Sequence, residues 1–501
     1  MFESALTVMI FLPIVAGALI LFCPAKGAAR ITGFFVSLIV LMIGVQLFID
    51  FDGQGGMQFV YNTPWIPSLG INFGLGVDGI SLLVLLTSAV LFPLVFCVLK
   101  EQSRAFYANL LLCQGAMLGA ICATDLVVFY IFWEIMLVPI FFTIGIYGGP
   151  RRLAATMKIT LYTIAGSLLM LVGIIYVANC YHQQFGVWTF DMARLSALSL
   201  SGGFAGWAFL MFMIAFAIKI PIFPFHTWLP EAYTEAPPAT SFVLSAIMAK
   251  IGVYGMIRFV LPFFALEFIS WATFFLVLGI IGMIYCGIAA IGQKDIKRML
   301  AFCSASHMGI IAIGICAMNV QSLTGSLFQI AAHATSTGVL FLFVGLMEER
   351  LQTRNIDALG GLAYRAPIFA TFFAVAMLSC VGLPGTSGFI GEFLIILGTV
   401  KYSMFLGLLT GFTLIVGVCY LLWMFQRVFY EKESETSARF TDLTVGEVFS
   451  FLPVMIIIFA MGIFPQFFIS KIEPAVQQQI AQLYAPAQQQ VVANEISVTD
   501  K

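Results

Sequence analysis

Long apolar stretches, interrupted at short intervals by charge, glycine and proline, organise this chain from end to end. About 20 apolar residues carry a helix across the hydrocarbon of a bilayer, and a helix satisfies its own backbone there. Such spans are predicted near 4–22, 31–49, 79–99, 106–123, 126–147, 156–179, 204–224 and 238–261. Six more follow near 270–291, 299–318, 323–346, 367–396, 404–429 and 447–469, fourteen in all, with junctions before 126 and 323 tight enough to change that count by one. The connections are thin: outer loops at 50–78 (with N-T-P-W and several glycines) and 180–203, and a charged inner stretch from Glu431 to Glu447. A Gln/Ala-rich tail from about Gln477 is expected to fray or to rest on a neighbour, without chemistry. No linker divides the chain. The expected organisation is three spans in 1–100, five-span segments at 106–261 and 270–429, and a last span with loop and tail in 430–501.

Composition agrees with a polytopic membrane protein. Hydrophobic residues make up 61% and charged residues only 9%, against about 25% charged in soluble domains, so the chain lacks the polar surface to cover a water-soluble body. The net charge of −1, with no basic stripe, excludes nucleic acid as a partner. Lysines and arginines sort by alternate loop. Sixteen, from Lys26, Arg30 and Lys100 through Lys294, Lys297 and Arg298 to Lys432 and Arg439, fall on one side; five (Arg194, Arg258, Lys401, Lys471, Lys501) fall on the other. The richer side is expected in the cytoplasm, leaving both termini outside. The first apolar segment has no basic n-region or A-x-A site and is expected to be a retained span. The ten cysteines form no C-x-x-C pair and no iron–sulfur or zinc spacing, and are expected to be small buried hydrophobes.

Against this background the ionisable residues inside spans carry the chemistry, because charge at bilayer depth costs several kcal/mol. Glu134, in F-Y-I-F-W-E-I-M-L-V-P, is nine residues into its span, roughly 13 Å deep at 1.5 Å per residue. Lys219 stands in A-F-A-I-K-I-P-I-F-P-F-H-T-W-L-P, where Pro221 and Pro224 break the helical ladder and free carbonyls beside the ammonium; Glu134 is a suitable counter-charge. Lys250 has Ser241 and Ser245 before it and Tyr254 one turn on, a setting with room for a hydrated path. His307 and His333 occupy mid-membrane positions among Ser and Thr, and imidazole passes protons through both nitrogens near neutrality. Glu392 closes L-P-G-T-S-G-F-I-G-E-F, whose Pro384, Gly385, Gly388 and Gly391 predict a second discontinuous helix. Spans 7 and 12 are then broken alike, and an offset of five means two inverted five-helix repeats, spans 4–8 and 9–13. A lateral line of titratable groups resembles neither a selectivity filter nor a substrate cage.

These segments carry a family resemblance. G-V-D-G-I-S at 76–81, F-W-E-I-M-L-V-P, the Lys219 segment through T-E-A-P, Q-K-D-I-K-R-M-L-A-F-C-S-A-S-H-M-G and G-L-P-G-T-S-G-F-I-G-E-F resemble the antiporter-like membrane subunits of respiratory complex I, over roughly residues 60–430. The resemblance implies a glutamate–lysine pair at Glu134 and Lys219, a central lysine at Lys250, histidines joining two half-channels at His307 and His333, and an exit-side acid at Glu392. A glutamate at 392 points to the M-type branch, since the L-type and N-type siblings carry lysine there.

The resemblance further implies proton translocation from cytoplasm to periplasm in a bacterial inner membrane, coupled to quinone reduction elsewhere in the complex. NADH, FMN, iron–sulfur clusters and quinone then belong to partner subunits, with no cofactor or metal in this chain. The expected partners are the other membrane-arm subunits, especially the L-type and N-type ones, and lipid. A subunit of a multisubunit sodium/proton antiporter, or of a related membrane-bound hydrogenase or photosynthetic dehydrogenase complex, shares nearly every buried charge. An inert scaffold differs in predicting that Lys219→Ala leaves pumping intact.

Overall fold

In hydrocarbon each backbone amide needs a partner from its own segment, so the apolar runs form helices whose ends are set by polar caps. The computed structural model describes residues 4–22, 26–98, 102–198, 200 and 203–499, of residues 26 and 487–499 the backbone alone. Cys23, Lys100, Lys501 and the side chain of Lys26 lie outside the described residues. Among these, twelve helices are long and apolar enough to cross a membrane, from Ala5–Phe22 to Val445–Ile463. Two shorter apolar helices, Ala205–Lys219 and Pro367–Cys380, are each followed by a turn and then by further helix, Trp228–Glu235 and Ser387–Tyr402.

The helices are layered by depth. The most apolar window of Val320–Leu351 is wholly buried and those of Pro238–Phe263 and Ile296–Cys316 are 94% buried, whereas Met404–Tyr430 buries 28%. Lys250, His307 and His333 belong to the three innermost helices. Two of these contain π-helical turns, at Leu244–Met248, Met256–Val260 and Ala334–Gly338. Such turns widen the ladder and occur disproportionately at functional sites.

Several expectations are corrected. The outer loop at 50–78 holds an antiparallel hairpin, Gln58–Ile66 with Ile71–Val77, so the fold is all-α apart from two strands. Its turn needs Gly70, at φ +66°, because a Cβ there would lie 2.0 Å from the Trp188 carbonyl. The last span ends at Ile463, since Phe464 precedes Pro465 and is pushed out of helical geometry. The tail is helical, not frayed: Pro465–Thr499 is one helix, anchored by Lys471 on the Phe51 carbonyl (2.7 Å) and by Tyr484 on the Met318 carbonyl (3.1 Å). Its buried residues Ile472, Ala475, Val476 and Leu483 recur at helical spacing and give it an apolar stripe.

One local motif occurs twice. Asp125 caps Leu126–Ile135 and Asp295 caps Ile296–Cys316. Asp125 bridges antiparallel to Asp191 and Asp295 to Asn355. The backbone bonds correspond one for one: Leu126 N–H to Phe190 O and Met192 N–H to Thr124 O in the first case, Ile296 N–H to Arg354 O and Ile356 N–H to Lys294 O in the second.

Arg258, counted with the outer side at the end of its predicted span, is largely enclosed in a bidentate pair with Asp78 at 2.5 and 2.7 Å. Its Nε also donates to the Tyr254 hydroxyl (3.1 Å). Burial raises the Asp78 carboxyl, but Arg258 and hydrogen bonds from Ser81 outweigh it and hold the group below its ordinary 3.8. Asp78→Asn strands the guanidinium without a counter-charge, and the expected loss is about 3–5 kcal/mol, read as a lower thermal midpoint of the solubilised chain. A depressed carboxylate contributes fully above its unfolded value and loses that contribution as pH falls through its folded value. The deficit of Asp78→Asn against wild type is therefore expected at neutral pH and should shrink below about pH 4; equal midpoints at neutral pH would show that the pair carries no stability.

Candidate functional site

Four of the six ionisable residues chosen from sequence form one connected line. The Lys250 ammonium is 2.7 Å from His333 Nδ1 and also donates to the Ser245 carbonyl. The rings of His333 and His307 have centroids 5.7 Å apart. His307 Nε2 lies 3.5 Å from Glu392 Oε1, which also accepts from Gln329 Nε2 at 3.2 Å. All four are buried. The His307 Nδ1 is 2.8 Å from the Cys303 carbonyl. A carbonyl only accepts, so the proton sits on Nδ1 and Nε2 is free to exchange one with Glu392. By the same logic the neutral form of His333, accepting from Lys250, carries its proton on Nε2, an atom without a partner in the structure.

The local sequence explains the placement. The π-helical turn Leu244–Met248 precedes Lys250, and Ala334–Gly338 follows His333 directly. Ser245 of the first turn reaches Ser304 at 3.3 Å, while Thr335 and Ser336 of the second donate back to the carbonyls of Ala331 and Ala332. On the Glu392 side, Gly391 permits close approach, since a Cβ there would meet Gln329 Oε1 at 2.3 Å.

Glu134 and Lys219 form a separate group. Lys219 is buried, with its ammonium 4.6 Å from the centre of the Trp133 ring. Among the described residues no hydrogen bond or ion pair joins it to Glu134, which is half-buried with Oε1 unpartnered. The expected glutamate–lysine pair is an electrostatic relation without contact, and the indole of the residue before Glu134 receives the ammonium. The freed carbonyls are also largely claimed: Ile218 O accepts from the Trp228 indole (2.8 Å) and Ala217 O from Ile222 N–H (2.8 Å). Helix meets helix between Lys219 and Lys250 through Gly252, where a Cβ would lie 2.9 Å from Lys219 Cβ.

Sequence reasoning missed three features. Lys297, assigned to an inner loop, is buried and donates to the Ala236 carbonyl; its early helical position, two turns before Ser304, was the available signal. It lines a cavity of about 530 Å³ with Glu235, Gly149, Glu348 and Arg354, at the end of the bundle where Arg151 pairs with Glu235 and Lys158 with Glu231. Gln329 sits on Glu392 and carried no charge to draw attention. Cys303 and Cys380, remote in sequence, meet at 3.7 Å.

A membrane-spanning bundle with a buried line of lysine, histidines and glutamate defines an ion-translocating protein. Residues 123–417 match the family described as NADH:quinone oxidoreductase/Mrp antiporter, transmembrane. The chain is 35% identical over 502 residues to NADH-quinone oxidoreductase subunit M of Rhodobacter capsulatus, covering 96% of this chain and 98% of the relative. It is 33% identical over 488 residues to NADH-ubiquinone oxidoreductase chain 4 of Marchantia polymorpha, with 96% and 97% covered. A chain of respiratory complex I from Thermus thermophilus with bound NADH superposes with a TM-score of 0.89 at 33% identity, covering 96% of this chain and all of that one. A chain of the Mrp complex from Dietzia sp. shares the fold at 21% identity, with a TM-score of 0.85 and coverage of 97% and 98%. The chain belongs to the NADH:quinone oxidoreductase/Mrp antiporter family, as a multi-pass membrane-arm subunit of the bacterial inner-membrane kind.

Gly382 supplies a test of the Glu392 geometry. It holds φ +73°, and a Cβ would lie 2.4 Å from Glu392 Oε2; Gly385 holds φ +91° with nothing within 4 Å. Gly385→Ala is expected to cost backbone strain alone, about 1–2 kcal/mol. Gly382→Ala adds the displacement of the carboxylate from His307 and Gln329, about 1–3 kcal/mol more. Equal losses in thermal stability would mean that the carboxylate is not held where it stands.

Proposed function

We propose that this chain carries protons from cytoplasm to periplasm through Lys250, His333, His307 and Glu392, driven by quinone reduction in partner subunits. The supporting observation is the buried line itself, with Lys250–His333 at 2.7 Å and His307–Glu392 at 3.5 Å. The inner cavity lined by Lys297 and Glu235 gives the cytoplasmic approach, and Ser304, two helical turns beyond Lys297, touches Ser245 beside Lys250. A proton passed from the ammonium to His333 Nδ1 releases the one on Nε2 toward His307. With Nδ1–H of His307 held by the Cys303 carbonyl, the incoming proton takes Nε2, and the resulting imidazolium faces Glu392 for release to the other side.

Lys219 and Glu134 act in this reading as the coupling element. Their attraction is adjustable because they do not touch, and a shift of the Glu134 helix changes the field at Lys219 without breaking a bond. The helix around Glu134 is divided at Met136, between Leu126–Ile135 and Leu137–Tyr147, where Pro139 removes an amide donor. We further read the chain as fourteen spans in an N-terminal set (1–100), two inverted five-helix repeats (106–261 and 270–429) and a C-terminal segment (430–501). The twice-used Asp bridge supports this, because Asp125 and Asp295 open spans five positions apart. Both termini are then periplasmic, and the flanking partners are the L-type and N-type subunits.

The deciding experiment uses inverted membrane vesicles carrying Lys219→Ala, with NADH-driven proton uptake, quinone reductase activity and assembly on a native gel followed together. Uptake is expected to fall several-fold in an assembled complex. Normal uptake with normal assembly would reduce these charges to packing and favour a scaffold.

A further inference from the structure

The line of titratable groups passes directly beside a pair of thiols that it does not use. Cys303 Sγ and Cys380 Sγ are 3.7 Å apart, and Cys303 Sγ is 3.5 Å from His307 Nδ1. The three ligand atoms lie within 4.8 Å of one another, and all three residues are buried. A tetrahedral divalent ion with bonds of about 2.3 Å to sulfur and about 2.0–2.1 Å to nitrogen separates two sulfurs by about 3.8 Å and a sulfur and a nitrogen by about 3.6 Å. Both edges given by the structure match. Cys303 and His307 are one helical turn apart and project from the same face, and Cys380 is brought opposite them by the end of its helix. Thr337 Oγ1 is 3.2 Å from Cys380 Sγ, placed to donate to a thiolate. The Tyr420 hydroxyl is buried without an oxygen or nitrogen partner, beside Cys303.

We propose that Cys303, His307 and Cys380 form a binding site for a thiophilic divalent cation such as Zn²⁺ or Cd²⁺, and that its occupation closes the proton line at His307. The charge balance is favourable: both thiols lose their protons, two protons leave, and a divalent ion between two thiolates is neutral where net charge is costly. At His307 the ion replaces the proton on Nδ1, which moves to Nε2, so the Cys303 carbonyl loses its donor. A ring with metal on Nδ1 and hydrogen on Nε2 has no free nitrogen to accept a further proton. The turn that follows Cys380 is the part of this segment nearest the surface of the chain, with Leu383, Pro384 and Gly385 exposed. The effect on pumping rests on the relay proposed above; the site does not.

The two parts are tested separately. Cd²⁺ is titrated into the reduced, detergent-solubilised complex, and binding is read from the thiolate-to-metal charge-transfer absorption, wild type against Cys303→Ser and Cys380→Ser. One ion per copy of this chain is expected to contribute to the band, and each serine variant should lose that increment. Affinity should fall by more than the about 10–100-fold that loss of an outer-shell partner costs. In vesicles, Cd²⁺ should suppress NADH-driven proton uptake in wild type, while Cys380→Ser pumps normally and resists the ion at the same concentration. A band of equal size in wild type and both variants would overturn the site. Loss of the band in the variants together with equal sensitivity of their proton uptake would leave the site standing and overturn its link to the proton line.

Discussion

The cost of leaving a polar group unsatisfied in a hydrocarbon interior governs this molecule. Backbone amides meet it by forming helices, and side chains meet it by pairing or by collecting where helices are most deeply buried. Asp78 and Arg258 neutralise one another, joining the start of the third span to Pro238–Phe263. Lys250 has no carboxylate partner among the described residues; a carbonyl and an imidazole receive its protons instead. A fixed ion pair would hold the ammonium permanently charged, whereas neutral acceptors allow it to be charged or neutral in turn. The contrast between Arg258 and Lys250, two cations eight residues apart on one segment, separates a structural charge from one that can change its state.

The same cost shapes the backbone. A straight helix has no vacant carbonyl to offer, so sites for protons inside a membrane need irregular turns that remain protected by protein. The π-helical turn before Lys250 contains the Ser245 carbonyl that accepts from the ammonium, and the turn after His333 is rich in hydroxyl groups. The two turns beside Lys250 and His333 lie in the helices with the least contact with lipid, where protein protects irregular backbone at bilayer depth; a further π-helical turn, Gln426–Tyr430, ends the outer helix Met404–Tyr430.

Much of this was legible before the structure. Apolar runs marked out the helices because a bilayer imposes one length scale, and six ionisable residues inside the apolar runs stood out because each is costly alone there. Less legible were features that depend on pairing across the chain. Arg258 looked like an outer-side charge because its counter-charge is 180 positions away, and the hairpin at 58–77 was hidden by prolines and glycines that read as loop. The tail looked disordered because its apolar stripe is thin among glutamines, yet Ile472, Val476 and Leu483 suffice when a groove receives them. Charge pointed from Glu134 to Lys219, but the ammonium rests on the Trp133 indole, whose affinity for cations has no signature in spacing.

The cysteines extend this point. Ten thiols without a motif suggested packing alone, since metal motifs in sequence are local and a site assembled across two helices is not. Cys303 shares a helix face with His307, and Cys380 comes from the end of the broken segment that leads to Glu392. The break near Glu392 therefore also sets a second thiol beside His307 and Cys303. A histidine that must pass protons needs an available nitrogen, and availability does not discriminate between a proton and a soft cation. The two sulfurs beside His307 give this chain a chemical liability, or a point of control, next to the proposed proton line.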